Sequence, residues 1–192
     1  MIRSRLHTIT RGGLSVAAAL ALFAAPAQAS SAAADTARAD SSTRVTVRRG
    51  EERLTDTVRA QVEAHRAQAR IHLDAGHHGR ARRELVAAAR LMAGGGVLPS
   101  HELYHAATIA LVEGRPLVAA ELMDMLAADA MALGEPLEQA RALLEAAMEY
   151  DHAGRKDLAR ERVKALRTLL ASSHIPDDFR AEVDRRVHVA AR

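Results

Sequence analysis

The residues with the clearest capacity for chemistry form one short string, His-Glu-Leu-Tyr-His at positions 101–105. On a helix, His101 and His105 lie one turn apart, so their ring nitrogens can share a metal ion. Glu102 is then positioned to act as a general base on a metal-bound water. The chemistry that this string could support is metal-assisted hydrolysis.

The string resembles the zinc-peptidase signature over about 25 residues, and the resemblance implies a third metal ligand further along the chain. Glu121 and Asp124, sixteen and nineteen residues after His105, are the candidates. A string of this kind also arises by chance in about 3% of chains with this content of His and Glu. The strands that usually form the substrate edge of those enzymes are not predicted upstream. Two surface histidines are therefore the favoured interpretation, and a small zinc-dependent hydrolase is the alternative.

Other chemical motifs carry less information. The glycines at 94–96 precede no Lys-Ser/Thr pair and follow no predicted strand, so they do not form a phosphate-binding loop. Arg80, Arg82 and Arg83 form a small basic cluster that Glu84 partly balances. No nucleophile elbow or dinucleotide-binding fingerprint is found. We therefore predict no catalytic residue, no bound metal and no cofactor.

The elements that position the string are helices. From about Glu51 onward, apolar residues recur every three to four positions, which is the spacing of one buried helix face. Glycine and proline interrupt this pattern, and no segment has a convincing strand pattern. The sequence predicts an all-α domain of about seven helices with short connections and antiparallel neighbours. Ser100 is the predicted N-cap of the third helix, and Gly76 with Gly79 ends the first. The predicted helices cover about 51–76, 80–92, 100–114, 116–133, 136–152, 156–171 and 177–190.

Three of the glycines mark an internal repeat. Gly76, Gly114 and Gly154 are 38 and 40 residues apart, and each lies between two alanine-rich segments. Alanine stands five residues after and seven residues before each glycine, a larger apolar residue stands nine after, and proline closes each unit. Small residues let two helices cross closely, and larger apolar residues fill the next layer. These positions are Ala81, Ala119 and Ala159; Ala69, Ala107 and Ala147; Leu85, Met123 and Val163; Pro99, Pro136 and Pro176.

This register resembles the tetratricopeptide repeat family over about residues 62–176. The third unit carries the resemblance best, with small, aromatic, turn and apolar residues at Ala147, Tyr150, Gly154, Ala159 and Leu166. The resemblance implies three stacked hairpins in a short solenoid, closed by a capping helix at 177–190. An irregular helical bundle is the alternative fold.

The resemblance also implies a function. Stacked hairpins of this family present a concave groove, lined by the first helix of each unit, to a protein or peptide partner. We therefore expect an adaptor or scaffold without catalysis. The groove residues that the resemblance implies are Glu63, Arg66, Arg70, His101, Tyr104, Thr108, Arg141, Leu144 and Met148.

Residues 1–29 have the pattern of a secretory signal peptide. Three arginines precede an apolar run at 14–25, and an Ala-Gln-Ala cleavage site follows it. That run is about a dozen residues long, whereas spanning a bilayer takes roughly 20. We expect an exported protein, periplasmic or secreted, with no stable membrane span after cleavage. Residues 30–50 are small and polar, as is typical of a disordered linker, which leaves 51–192 as the helical domain.

The charge balance gives no support for a nucleic-acid partner. The precursor has 27 Lys+Arg and 24 Asp+Glu, and the leader contains three arginines and no acid, so the mature chain has 24 of each. The chain has no Cys, so an exported domain depends on packing rather than on disulfides. Because only 2% of residues are aromatic, the core must be built from Ala, Leu, Val and Met.

Overall fold

Seven helices and no strand make up the part of the chain that the structure describes, which confirms the predicted all-α class. The computed structural model describes residues 50–172 and 174–190, with side chains as far as Val187 in the last helix. The predicted signal peptide at 1–29 and all but the last residue of the predicted linker at 30–50 lie outside the described residues. In chain order the helices are α1 (Asp56–Asp74), α2 (His78–Gly94), α3 (Ser100–Val112), α4 (Pro116–Leu133), α5 (Pro136–His152), α6 (Lys156–Leu170) and α7 (Asp177–Ala190).

The helix starts follow local chemistry and differ from the prediction at α1, α2 and α3. Pro116 and Pro136 begin α4 and α5, where a missing N–H and a fixed φ cost nothing. α1 begins at Asp56 rather than near Glu51, because the Thr55 hydroxyl caps it and accepts a hydrogen bond from the Val58 N–H at 3.3 Å. Ser100 is the first helical residue of α3 and makes no capping hydrogen bond. The predicted Ser100 N-cap is therefore wrong, since Pro99 occupies that position.

Glycines in the left-handed region end the first five helices. Gly76, Gly114 and Gly154, the three predicted repeat marks, have φ of 71°, 69° and 74°, and Gly96 and Gly134 match them at 74° and 73°. Past each of these glycines an N–H returns to the last helical turn, as the Arg155 N–H does to the Tyr150 carbonyl at 2.8 Å. Turns within the predicted hairpins and turns between them therefore share one geometry.

Gly79 differs from these glycines because it lies inside α2 and ends no helix, contrary to the prediction. The chain reverses direction at Gly76, and α2 begins two residues later at His78, so Gly79 is its second residue. A Cβ added at Gly79 would lie 3.6 Å from the Glu113 carboxylate, an ordinary contact, and one added at Gly114 would meet nothing within 4 Å. Both positions therefore have room for a Cβ atom, and the two glycines differ only in backbone conformation.

Two alanine substitutions test this difference. Gly114→Ala is expected to lower the free energy of unfolding by about 1 kcal/mol, because a Cβ disfavours positive φ. Gly79→Ala is expected to raise it by about 0.5 kcal/mol, because alanine restricts the unfolded chain at a helical position. Urea denaturation followed by far-UV circular dichroism measures both. Equal effects in the two variants would contradict the assigned backbone conformations.

Packing between helices follows the chain order. Each of α1 to α5 packs against the next helix in the chain across a short turn, so neighbours run antiparallel, and α7 contacts α5. The alanines at the predicted crossing positions are buried, with Ala81 and Ala119 fully inaccessible. Residues 50–172 and 174–190 thus form a short solenoid or bundle of helix hairpins, in which small side chains at the helix crossings let neighbouring helices approach closely. None of the seven described helices combines the length and the apolar composition needed to cross a bilayer.

Candidate functional site

The His-Glu-Leu-Tyr-His string lies in the first two turns of α3, and its residues point in different directions. His101 and His105 are exposed, with their ring centroids 6.0 Å apart. Glu102 is completely buried, with 0% of its surface exposed. Its carboxylate accepts two hydrogen bonds from the Arg66 guanidinium of α1, at 2.8 Å and 2.5 Å. Glu102 therefore joins α3 to α1 through an ion pair.

Arg66 is the centre of a wider acidic cluster. Besides Glu102, it donates hydrogen bonds of 2.6 Å each to Glu51 and Glu63. Burial alone would lower the pKa of Arg66, but the hydrogen bond to Glu51 and the charge of Glu102 raise it above its usual value. Burial would likewise raise the pKa of Glu102, but the hydrogen bond from His101 and the charge of Arg66 hold it below its usual value. Both groups are therefore charged at neutral pH, and Glu102 serves as an ion-pair partner of Arg66.

The zinc-hydrolase alternative offers Glu121 and Asp124 as candidate third ligands, and neither forms a metal-binding group with His101 and His105 in the described part of the chain. Asp124 on α4 accepts hydrogen bonds from the Tyr150 hydroxyl at 2.7 Å and from Arg162 at 2.7 Å and 2.8 Å. These contacts orient its carboxylate toward α5 and α6. Among residues 50–172 and 174–190, no group of three or more His, Asp or Glu side chains is arranged to hold a metal ion. The zinc-hydrolase alternative therefore lacks an assembled ligand set in the described part of the chain.

The two exposed histidines of α3 are expected to titrate on opposite sides of the ordinary histidine value. The contact of its ring with the Glu102 carboxylate, at 3.5 Å, raises the pKa of His101 above 6.5, whereas partial burial lowers the pKa of His105 below 6.5. An NMR titration of the ring protons measures both values. In Glu102→Gln, we expect the pKa of His101 to fall toward that of His105, because the anionic acceptor is gone. An unchanged pKa of His101 in this variant would contradict the contact.

One cleft of about 750 Å³ lies against α3, and we call it the mixed cleft. It is lined by residues of α3, the start of α5, the ends of α2 and α4, and the segments that precede α1, α3 and α5. Its charges are of both signs, and Arg141 is paired with Glu138 at 2.6 Å. Burial raises the pKa of the Tyr104 hydroxyl well above its usual value, so this group stays protonated as a neutral donor or acceptor. Four predicted groove residues line this cleft: His101, Tyr104, Thr108 and Arg141.

A second cleft of about 710 Å³ lies between α5, α6 and α7, and we call it the basic cleft. Its apolar surface includes two predicted groove residues, Leu144 and Met148. Its wall on the α7 side is fixed by Arg186, which donates to both oxygens of Glu145 on α5 at 2.7 Å and 3.1 Å. The other cationic side chains lining this cleft are Lys156, Arg160, Lys164 and Arg167, all on α6.

The nine predicted groove residues are thus divided among several places. Glu63 and Arg66 belong to the acidic cluster beside α3, and Arg70 is exposed on α1 and lines neither cleft. Sequence reasoning missed the cations of α6, because the repeat register assigned the groove only to the first helix of each unit. Their spacing of four, four and three residues along one helix face was the available signal.

Comparisons with protein-family models, with curated proteins and with solved structures found no match for this chain. What the clefts can bind therefore follows from the residues that line them. The first half of α5 contributes Glu138 and Arg141 to the mixed cleft, and its second half contributes Leu144 and Met148 to the basic cleft. The described part of the chain is accordingly all-α, and these two clefts share one helix, α5.

Proposed function

We propose that this chain is a partner-binding protein that holds a protein or peptide segment in clefts along its helix hairpins, without covalent chemistry. The observation that carries the proposal is that side chains from separate hairpins line one cleft. His101, Tyr104 and Thr108 come from α3, and Arg141 comes from α5. A peptide in this cleft would meet apolar surface together with polar groups and charges of both signs, and such a combination can fix the orientation of a bound segment.

We further propose that the hairpins form a divergent tetratricopeptide-like solenoid with α7 as its capping helix. The burial of alanine at equivalent crossing positions supports this proposal, as do the equivalent glycine turns. α7 also has the character of a cap, because Phe179 and Val183 are buried while Asp184 and Arg185 are exposed. The arginines and the apolar run of the leader support export to the periplasm or the medium.

Selection from a displayed library of random peptides tests the binding function. We expect enrichment of peptides whose affinity falls about ten-fold in Tyr104→Ala or Arg141→Glu, if the mixed cleft is used, because aromatic and arginine side chains dominate peptide contacts. Arg90→Glu is the matched control, since Arg90 is exposed on α2 and lines neither cleft. Thermal melts of each variant verify folding. The function is wrong if no peptide is enriched, or if no enriched peptide distinguishes cleft variants from the control.

A further inference from the structure

The basic cleft carries an uncompensated charge. Lys156, Arg160, Lys164 and Arg167 are exposed, and none of them forms an ion pair with another residue in the described part of the chain. Nearby acids are already engaged, since Glu145 and Glu182 pair with Arg186, and Glu161 pairs with Arg162. Asp151 is the one carboxylate among the described residues that line the cleft. Because the mature chain is neutral as a whole, this local excess marks one face of α6.

The same cleft has an apolar floor beside the cations. Leu144 and Ala147 of α5 are buried there, and Met148, Val163 and Val187 are half-buried. An apolar strip bordered by cations complements a segment that has an apolar face and an acidic face. The mixed cleft has no such asymmetry, because Arg53 and Arg141 are opposed there by Glu135 and Glu138.

We propose that the basic cleft binds an acidic amphipathic helix of a partner protein, an assignment that rests on the proposed partner-binding function. The cations from Lys156 to Arg167 cover twelve residues, which are eleven helical steps or about 17 Å along α6 at the α-helical rise. A partner helix of about 12 residues covers that length. Acidic side chains every three or four residues on one face would meet the cations, and Leu or Met on the adjacent face would contact the floor.

The shape and composition of the cleft favour this partner over other polyanions. No aromatic side chain is found among the described residues that line it, so it offers no stacking platform for nucleic-acid bases. A flat anionic membrane would reach the exposed ends of the cations but would leave the half-buried floor residues Met148, Val163 and Val187 without a partner. A helix inserted between α6 and α7 uses both parts of the cleft.

Fluorescence anisotropy with designed peptides tests the inference on the purified full-length chain. The probe is a labelled helical peptide of about 14 residues with Glu on one face and Leu on the adjacent face. We expect binding that weakens with added salt, and loss of binding when Lys replaces Glu or Ser replaces Leu in the peptide. The variant Arg160→Glu/Lys164→Glu should weaken binding about ten-fold or more. The matched control Arg83→Glu/Arg90→Glu, which reverses two exposed cations of α2, should stay within about two-fold of the parent protein.

The inference is overturned if the acidic peptide does not bind, or if both charge-reversal variants bind it equally. Binding to phosphatidylglycerol vesicles with no binding to the peptide would also overturn it, in favour of a membrane surface. Equal binding of the Leu and Ser peptides would reduce the cleft to a nonspecific polyanion site and overturn it too. If the random library still enriches peptides that Tyr104→Ala weakens, the partner-binding function survives while this assignment fails. If the library selection enriches no peptide, the proposed partner-binding function is wrong as well.

Discussion

Replacing Arg66 with Met is expected to lower the free energy of unfolding by about 3–5 kcal/mol, because it leaves the buried Glu102 carboxylate with only the exposed His101 ring, 3.5 Å away, as a cationic neighbour. Glu102 has no exposed surface, and its second oxygen already lacks a hydrogen-bond partner. Arg141→Met is the control, since the Arg141–Glu138 pair lies on an exposed helix face and should contribute less than about 1 kcal/mol. Urea denaturation measures both variants. Similar losses of unfolding free energy in Arg66→Met and Arg141→Met would show that water reaches Glu102.

The double variant Arg66→Met/Glu102→Leu separates the ion pair from the charge left behind. We expect it to recover most of the lost stability, because a packed apolar pair can replace a buried ion pair at little net cost.

The contribution of Glu102 to the free energy of unfolding should depend on pH with a definite sign. Since the pKa of Glu102 is lower in the folded protein than its ordinary value of 4.5, its contribution is complete above that value. The contribution is lost as the pH falls through the folded pKa.

Removing residues 177–192 is expected to cost about 4–6 kcal/mol and to promote aggregation. α7 buries Phe179 and Val183 in the same hydrophobic cluster as Leu166 and Ile175, and each large apolar side chain contributes about 1.5–3 kcal/mol when buried. Without α7 the cluster also exposes its remaining apolar surface to solvent. Thermal melts and size-exclusion chromatography measure the two effects. An unchanged melting curve would contradict the assignment of α7 as a cap.

Two point variants separate the stability that the apolar contacts of α7 provide from the stability that its ion pair provides. Phe179→Ala should cost about 3 kcal/mol, because it leaves a cavity in the cluster. Arg186→Ala should cost about 1 kcal/mol, because its ion pair with Glu145 is about one-third exposed on each side. The apolar contacts therefore account for most of the stability that α7 provides. A larger loss in Arg186→Ala than in Phe179→Ala would reverse this order.

Much of the helix layout follows from local sequence signals. Pro116, Pro136 and the turn glycines act through their own backbone preferences, which need no tertiary contacts. The predicted ends of α4 and α5 are therefore confirmed within a residue or two. The start of α1 was missed because helical periodicity does not distinguish a capped start at Thr55 from apolar residues that precede it. Leu54 fits the periodic pattern, yet it lies outside any helix. Its side chain packs in a small cluster with Val62 and Met92.

The candidate site was less accessible to prediction, because it depends on which helices meet. The string at 101–105 fixes the spacing of its residues on α3, but the direction of Glu102 depends on an arginine 36 positions earlier. Likewise, no local pattern pairs Asp124 with Arg162, 38 positions apart. The repeat register could place residues on helix faces. How those faces divide into two clefts depends on the packing of α6 and α7 against α5.

The alanine-lined contacts determine which changes the core can accept. Ala106, Ala110, Ala120, Ala140 and Ala146 have no exposed surface, and a fully buried alanine has only one methyl group to lose. At these sites the damaging substitutions are enlargements, since Val or Leu there would push neighbouring helices apart. A deep mutational scan should therefore find the strictest positions at the smallest side chains. Those positions set the distance between helices, and with it the width of both clefts.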